Sequence, residues 1–157
     1  MNDNEYIFND TYRGKVDVKQ RFLLVVLIVL LTACSSNFTF SEISINNADD
    51  QIREFINLVE MENGHYLYLD DKNGMYVFLN GIYVRQGHDA VYFSDFNVIV
   101  QQDTLSMFIN QEYDSDYSNA QLNYQVLYKI NTEANYDTIQ LYINGRPVSF
   151  DAIYSNE

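Results

Sequence analysis

The part of the chain after Gly64 consists of short segments rich in Tyr, Phe, Ile and Val, separated by residues that favour turns. The segments "HYLYL" (65–69) and "MYVFL" (75–79) flank Asp70-Asp71-Lys72-Asn73-Gly74, whose residues tolerate positive φ. Short alternating segments bounded by such turns are typical of β-strands. With 14 Tyr and 10 Phe but one Pro and six Gly, the composition also favours β-structure over helix.

Further strands are predicted along the rest of the chain. Asn80-Gly81 predicts a hairpin into "IYVR" (82–85), because Asn-Gly is a strong signal for a two-residue loop. The segment 122–130 alternates between a buried and a wet face, with Leu127 as the exception. Asn144-Gly145 predicts a closing hairpin that places Pro147 on an edge strand. The other predicted strands cover 90–93, 96–100, 104–109, 138–143 and 146–150.

One amphipathic helix is predicted before these strands. Its apolar residues follow the i, i+3, i+4, i+7 pattern of a helix face: Ile52, Phe55, Ile56 and Val59. Asn47 is the predicted N-cap, and Gly64 is the predicted stop. The sequence therefore predicts an α+β fold, in which one N-terminal amphipathic helix packs on an antiparallel sheet or sandwich of about seven to nine strands.

An uninterrupted apolar run lies nearer the N-terminus, from Phe22 to Leu31. Lys19 and Arg21 precede it, and the small residues Thr32 and Ala33 follow it. A transmembrane helix needs roughly 20 apolar residues, whereas the apolar region of a secretory signal needs only about 7–15. The run is therefore predicted to be part of an export signal.

This signal ends at the single cysteine of the chain. Leu31-Thr32-Ala33-Cys34, followed by Ser35-Ser36, resembles the lipobox of bacterial lipoproteins. The resemblance covers residues 18–36 and implies that the Cys34 thiol receives a diacylglyceryl group, that cleavage occurs just before it, and that the new N-terminus is acylated. It also implies a lipid anchor in a bacterial cell membrane; Ser35 implies the outer membrane, facing the periplasm, if the cell has two. The alternative is a buried cysteine at the end of an apolar core helix.

The first 17 residues depart from this family pattern, because four acidic residues are atypical of the start of a lipoprotein signal. A valine codon at Val18 can serve as a bacterial start, so residues 1–17 are predicted to be a start-site extension, with a short cytoplasmic tail as the alternative. The predicted organisation is a signal peptide at 18–33, a lipidated cysteine and tether at 34–47, and a single α+β domain at 48–157.

The charge is concentrated in the predicted mature part. From Cys34 onward five basic residues stand against 18 acidic residues, a formal charge of −13. Such a surface repels phosphate backbones, which excludes nucleic-acid binding, and it opposes adhesion to anionic lipid. The membrane is therefore expected to be contacted through the lipid on Cys34, and the simplest interpretation of the acidity is a solvated surface.

Residues suited to catalysis are few. The two histidines, His65 and His88, do not have the spacing of a metal-binding motif, and the sequence contains no serine in a G-x-S-x-G nucleophile elbow. Both are therefore interpreted as ordinary turn or surface residues. Asp70-Asp71 is expected in a turn first and as a catalytic carboxylate pair second. No cofactor is expected.

A weak metal candidate lies in the loop after residue 113. Asp114, Asp116 and Ser118 have the oxygen spacing that opens a calcium loop. However, Asn119 and Gln125 stand where such a loop needs Gly and a bidentate Glu. A polar hairpin loop is the alternative.

Aromatic residues supply the candidate binding surface. Tyr66 and Tyr68 share one strand face, as do Tyr76 and Phe78 on the next strand, and tyrosine suits binding because it joins apolar area to a polar group. These four residues are predicted to form an exposed platform. The alternative is that both faces of these strands are buried, between sheet and helix.

These patterns predict a membrane-anchored bacterial lipoprotein with a non-catalytic binding or scaffolding role at the cell envelope, its partner an envelope protein or a glycan. One alternative is an envelope hydrolase or carbohydrate-active enzyme that uses Asp or Glu. The other is a calcium-dependent module through residues 114–125. Two carboxylates in one pocket would favour the enzyme, and scattered surface acids would favour the binding module.

Overall fold

The computed structural model describes residues 38–71, 74–116, 119–132 and 134–156. This part of the chain contains mostly β-structure with one α-helix, an α+β fold. The elements are β1 (Phe38–Ile43), a 3-10 turn (Ile45–Asn47), α1 (Asp50–Val59), β2 (Gly64–Asp70), β3 (Gly74–Asn80), β4 (Ala90–Gln101), β5 (Thr104–Asp114), β6 (Gln125–Thr132), β7 (Thr138–Ile143), β8 (Arg146–Val148) and β9 (Ala152–Ser155).

The strands form two sheets. One has five strands in the order β1-β6-β3-β2-β9, and the other has four in the order β4-β5-β7-β8. The predicted antiparallel arrangement is wrong for two pairs, because β2 pairs with β9 and β5 pairs with β7 in parallel. Both pairs join strands that are distant in sequence, and the alternation within one strand carries no information on the direction of such a partner.

The main core lies between the two sheets. Its buried residues come from both inner faces: Leu67, Met75, Val77, Leu79, Val126, Tyr128 and Ile130 from the five-stranded sheet, and Phe93, Val98, Leu105, Met107, Ile109 and Leu141 from the four-stranded sheet. A sandwich of this kind stabilises the domain because each strand removes its alternate apolar side chains from water.

Helix α1 covers the opposite face of the five-stranded sheet. The predicted stripe of Ile52, Phe55, Ile56 and Val59 is buried, as the helical spacing requires. The N-cap is Asp49, whose side chain accepts from the Ile52 N–H, and the prediction of Asn47 is wrong because the 3-10 turn occupies that position. A second core lies between α1 and the five-stranded sheet. Leu127, on the face of β6 that was predicted to be wet, packs in this second core, which explains why it interrupts the alternation of that strand.

Several predicted boundaries differ from the observed ones. β1 lies within the segment predicted as a tether, in which Phe38/Phe40 and Ile43/Ile45 alternate well enough for a short strand, and it pairs with β6 as an edge strand. The segments 90–93 and 96–100 form the single strand β4, with a bulge between Ser94 and Asn97, where Asp95 has φ 52°. The hairpin between β2 and β3 is confirmed, and Pro147 lies on the edge strand β8.

Candidate functional site

The predicted tyrosine platform is not exposed. Tyr66, Tyr68, Tyr76 and Phe78 are all buried, and they pack beneath α1 in the second core. The prediction of a binding surface at these residues is therefore wrong, and the alternative of burial between sheet and helix is right. Burial raises the pKa of the Tyr66 and Tyr68 hydroxyls, with smaller contributions from nearby carboxylates.

The weak calcium candidates are engaged in local structure. The Asp114 carboxylate accepts from the backbone N–H of Asp116 over 2.9 Å, which closes a local turn. Ser118 lies outside the described residues. Within the part of the chain that the structure describes, no group of three His, Cys, Asp or Glu side chains could hold a metal ion.

Asp70 and Asp71 lie at the end of β2, where the chain turns towards β3. Asp70 is buried, its carboxylate accepts from Asn156 Nδ2 over 3.3 Å, and the backbone N–H of Asp71 donates to Asn156 Oδ1 over 3.2 Å. The turn interpretation is confirmed for this pair. These contacts tie the C-terminal residues to the hairpin.

Cys34, the predicted lipidation site, lies outside the described residues, as do the signal peptide and residues 1–17. Among the described residues, no helix has the length and apolar character needed to cross a membrane.

The described part of the chain contains an open groove of about 880 Å³. It is built by three segments: the connection between α1 and β2, the connection between β3 and β4, and the adjacent ends of β4 and β5. Its lining residues are Met61, Glu62, Asn63, Tyr83, Val84, Arg85, Gly87, His88, Asp89, Val91 and Tyr113.

The groove exists because the chain does not turn back after Asn80-Gly81. A Cβ at Gly81 would lie 2.3 Å from the carbonyl oxygen of Val91, so the backbone passes too close to β4 for any side chain. The Gly81 N–H instead donates to the Tyr124 carbonyl over 2.8 Å. The hairpin predicted for Asn80-Gly81 is therefore wrong, and residues 81–89 form an irregular wall without a strand.

Buried Asn80 fixes the base of this wall. Its Nδ2 donates to the carbonyls of Glu60 and Glu62 over 2.7 and 2.9 Å, which satisfies acceptors left free where α1 ends. Its Oδ1 accepts from Gln125 Nε2 and from the backbone N–H of Ile82, over 3.1 and 3.3 Å. Asn80 thereby joins the end of α1, β6 and the connection to β4.

Asn63 holds the upper part of the wall. Its side-chain amide bonds to both backbone polar groups of Tyr83, over 2.6 and 2.8 Å. The Tyr83 hydroxyl in turn donates to the Met61 sulfur over 3.0 Å. These contacts place exposed apolar groups in a defined arrangement before any ligand arrives.

The side chains presented by the groove include apolar, aromatic and basic groups, beside the acidic Glu62 and Asp89. Met61, Tyr83 and Tyr113 are exposed by 67%, 42% and 61%, which is unusual for side chains of this type in one place. Arg85 is exposed beside them, and among the described residues it forms no ion pair. A turn from Arg85 to His88 projects it, with Gly87 at φ 84° as a type II turn requires.

His65 lies beside the groove rather than in it. It is the second residue of β2, and its ring contacts Asp151, Gln111 and Phe93. His88 lines the groove itself. The prediction that both are ordinary turn or surface residues fits the position of His88, whereas His65 is held between the two sheets.

Carboxylates are present at two places relevant to the enzyme alternative. Glu62 and Asp89 both line the groove and both are exposed. Outside it, on β5, Glu112 accepts from the hydroxyls of Tyr92 and Ser94, each over 2.7 Å. The Tyr92 bond, then the Ser94 bond, lowers the pKa of Glu112, which keeps it ionised rather than ready to act as a general acid.

The chain was compared with protein-family models, curated proteins and solved structures, and nothing matched in any of the three comparisons.

Two residues that organise the groove, Asn63 and Asn80, each precede a glycine. In the sequence, Gly64 is interpreted as a helix stop and Asn80-Gly81 as a hairpin turn, and Asn63 is given no role. The burial of Asn80 and the pairing of Asn63 with Tyr83 are tertiary contacts, for which the sequence offers no local signal. The exposed apolar residues of 82–85 were instead predicted to form a strand.

Proposed function

We propose that this chain is a bacterial lipoprotein anchored to a cell membrane through lipid on Cys34, with a non-catalytic binding role at the envelope. Where the cell has two membranes, the anchor lies in the outer membrane and the domain faces the periplasm. The anchor is supported by the order of positive charge, apolar run, small residues and cysteine in residues 18–36. Two or three acyl chains at one residue satisfy the need of a stable anchor for more than one lipid.

The binding role is carried by one observation: Met61, Tyr83 and Tyr113 are exposed together along a single groove. Exposed aromatic and thioether groups gain free energy when a partner removes them from water. The hydrogen bonds from Asn63 reduce the entropy that the wall would lose on binding.

We infer that the occupant is an extended segment of another envelope protein, with an apolar side chain next to a carboxylate. The apolar side chain would contact Met61 and Tyr113. The carboxylate would pair with Arg85, a cation without an ion-pair partner among the described residues of an acidic domain. Arginine suits this role because its guanidinium can bind a carboxylate through two parallel hydrogen bonds.

Crosslinking in cells tests this proposal. A photo-crosslinking amino acid is placed at Tyr113 and, as a matched control, at Ile153, which is exposed by 59% on β9 and does not line the groove. We expect position 113 to capture a protein segment that position 153 does not, and mass spectrometry to locate the captured residues beside a carboxylate. Equal capture at both positions, or capture of a glycan at 113, would overturn this assignment.

A synthetic peptide of the captured segment then tests the role of Arg85. We expect Arg85→Gln to weaken binding by about tenfold, which corresponds to about 1.4 kcal/mol. Arg146→Gln, a change of the same chemistry at an exposed residue outside the groove, is expected to leave affinity unchanged. Equal loss in both variants would show that net charge rather than the groove determines binding.

The envelope hydrolase is the second candidate, because Glu62 and Asp89 line the same groove. The double variant Glu62→Gln/Asp89→Asn separates the two functions. A binding role predicts that the captured peptide still binds this variant. Hydrolysis of the captured segment by the unaltered chain, abolished in the variant, would favour the enzyme.

A further inference from the structure

A row of hydrogen bonds joins the two sheets and ends in the groove. His65 lies on β2, Gln111 lies on β5, and Asp151 precedes β9. The His65 Nδ1 lies 3.4 Å from Asp151 Oδ2, and its Nε2 lies 3.1 Å from Gln111 Oε1. Gln111 Nε2 donates to the Tyr113 hydroxyl over 2.8 Å, and Tyr113 lines the groove.

The backbone positions of this row are held by other contacts. The His65 N–H donates to Asp151 Oδ2 over 2.7 Å, and the ring meets Phe93 edge-on at 6.0 Å. The backbone N–H and carbonyl of Gln111 both bond to the Asn144 side chain over 2.9 Å. The features left free to change are therefore the protons and the orientation of the Gln111 amide.

With a protonated imidazole, both ring nitrogens of His65 donate. Nδ1–H faces the Asp151 carboxylate and Nε2–H donates to Gln111 Oε1, as the observed oxygen positions require. The Gln111 amide then donates to the oxygen of Tyr113. The O–H of Tyr113 is left free to donate to a ligand in the groove.

With a neutral imidazole, the row reverses its polarity. Nδ1 keeps its proton because it faces the charge of Asp151, so Nε2 becomes an acceptor. An acceptor facing Gln111 Oε1 is unfavourable, and a half-turn of the amide brings its NH₂ to His65 and its oxygen to Tyr113. The Tyr113 hydroxyl must then donate to Gln111, and it offers the groove only lone pairs.

We propose that His65 sets, through Gln111, whether the Tyr113 hydroxyl acts as a donor or an acceptor in the groove, so that ligand choice depends on pH. This regulatory role rests on the proposed function of the groove. The charged group in contact with the imidazole is Asp151. Phe93 from β4 and Gln111 from β5 are uncharged, and the next titratable group along the row is Tyr113.

Nuclear magnetic resonance of the free protein tests the coupling without any ligand. The isotope-labelled full chain carries Cys34→Ser, so that no lipid is attached, and it is kept in detergent micelles. The His65 imidazole, the Gln111 side-chain amide and the Tyr113 ring are followed from about pH 5 to pH 8, the range in which histidine changes charge. We expect all three sets of signals to move with one common midpoint.

Two variants and a matched control make the result specific. Gln111→Leu removes the amide, and we expect the Tyr113 signals to stop following those of His65. His65→Gln is expected to abolish the common transition. His88→Gln, a change of the second histidine of the chain, is expected to leave it intact.

The proposal is overturned if the Tyr113 signals keep following His65 in Gln111→Leu, or if they follow His88 instead. Because this measurement uses the free protein, it is independent of the crosslinking result. An intact relay with no captured segment would disprove the groove as a binding site, whereas capture without a relay would disprove the pH control alone.

Discussion

Both backbone polar groups of Tyr83 are hydrogen-bonded by one side chain, the amide of Asn63. Nδ2 donates to the Tyr83 carbonyl over 2.6 Å, and Oδ1 accepts from the Tyr83 N–H over 2.8 Å. Asn63 therefore serves the connection between β3 and β4 as a neighbouring strand would. A segment without a strand of its own obtains a fixed shape from one residue that lies 20 positions earlier.

Replacing Asn63 by alanine is expected to loosen this wall. Each hydrogen bond contributes about 1 kcal/mol, and water can reach these exposed groups, so the free energy of unfolding should fall by about 1–2 kcal/mol. The sharper measurement is amide hydrogen exchange, in which the Tyr83 N–H should lose protection while β3 keeps it. Asn135→Ala, at an exposed asparagine outside the groove, is the control. Unchanged protection of Tyr83 in Asn63→Ala would contradict this role.

Truncation of a buried tyrosine should differ sharply from truncation of a groove tyrosine. Tyr76 is 2% exposed beneath α1, where Tyr76→Ala should lower the free energy of unfolding by about 3–5 kcal/mol. Tyr113 is exposed, and Tyr113→Ala should change it by less than about 0.5 kcal/mol while it weakens binding of the synthetic peptide of the captured segment. Urea unfolding and peptide binding on the same two variants check both effects. Equal destabilisation would show that the groove is part of the core.

Local sequence patterns were sufficient to predict the helix and the first hairpin. The α1 stripe repeats over two turns, and the residues 70–74 supply the turn chemistry that pairs Asp70 with Gly74. Each of these features is determined by residues close in sequence. The closing hairpin at Asn144-Gly145 was predictable for the same reason: Asn144 and Gly145 both adopt positive φ.

Long-range pairing was not predictable from the same information. The close approach of Gly81 to Val91, the bulge at Asp95 and the parallel strand β9 all depend on segments brought together by the fold. The burial of Tyr66 and Tyr68, in contrast, is indicated by the sequence of their own strand. Leu67 and Leu69 alternate with Tyr66 and Tyr68, so both faces of β2 are apolar, a pattern that favours burial on both sides over an exposed platform.

The lipid anchor yields a prediction that is independent of the domain. Because the thiol of Cys34 is the expected attachment atom, Cys34→Ser should abolish labelling with fatty acid and leave the precursor uncleaved. Metabolic labelling and the apparent mass of the product measure both effects. Ser35→Ala is the control, since it keeps the thiol. A Cys34→Ser chain that still carries fatty acid would contradict the anchor.

The N-terminal extension can be tested in the same assay. If translation begins at Val18, replacing residues 1–17 by a single initiating Met should leave both the amount of protein and its lipidation unchanged. A loss of either would show that residues 1–17 contribute to processing, as the cytoplasmic-tail interpretation requires.

Ionisation of Tyr128, a residue of the main core, is expected to lower stability at alkaline pH. Tyr128 is 8% exposed, and its ring stacks on Phe96 with centroids 3.9 Å apart. Burial, followed by the charges of Glu42 and Asp95, raises the pKa of Tyr128 to about 12, against about 10 in an unfolded chain. The neutral hydroxyl is therefore favoured by the folded state.

The sign of the effect follows from this upward shift. The contribution is fully present below about pH 10 and is lost as the pH rises towards 12, when the unfolded chain ionises first. We expect the free energy of unfolding to fall by roughly 2–3 kcal/mol from this residue across that interval. Tyr128→Phe keeps the stacked ring but removes the ionisable group. Between pH 10 and 12, the free energy of unfolding of this variant should therefore fall by about 2–3 kcal/mol less than that of the unaltered chain. Tyr113→Phe, at an exposed ring, is the control, and urea unfolding at several pH values between 9 and 12 measures all three proteins. If Tyr128→Phe and the unaltered chain lose stability in parallel, Tyr128 ionises as readily in the folded state as in the unfolded one, and its hydroxyl is not held in the core.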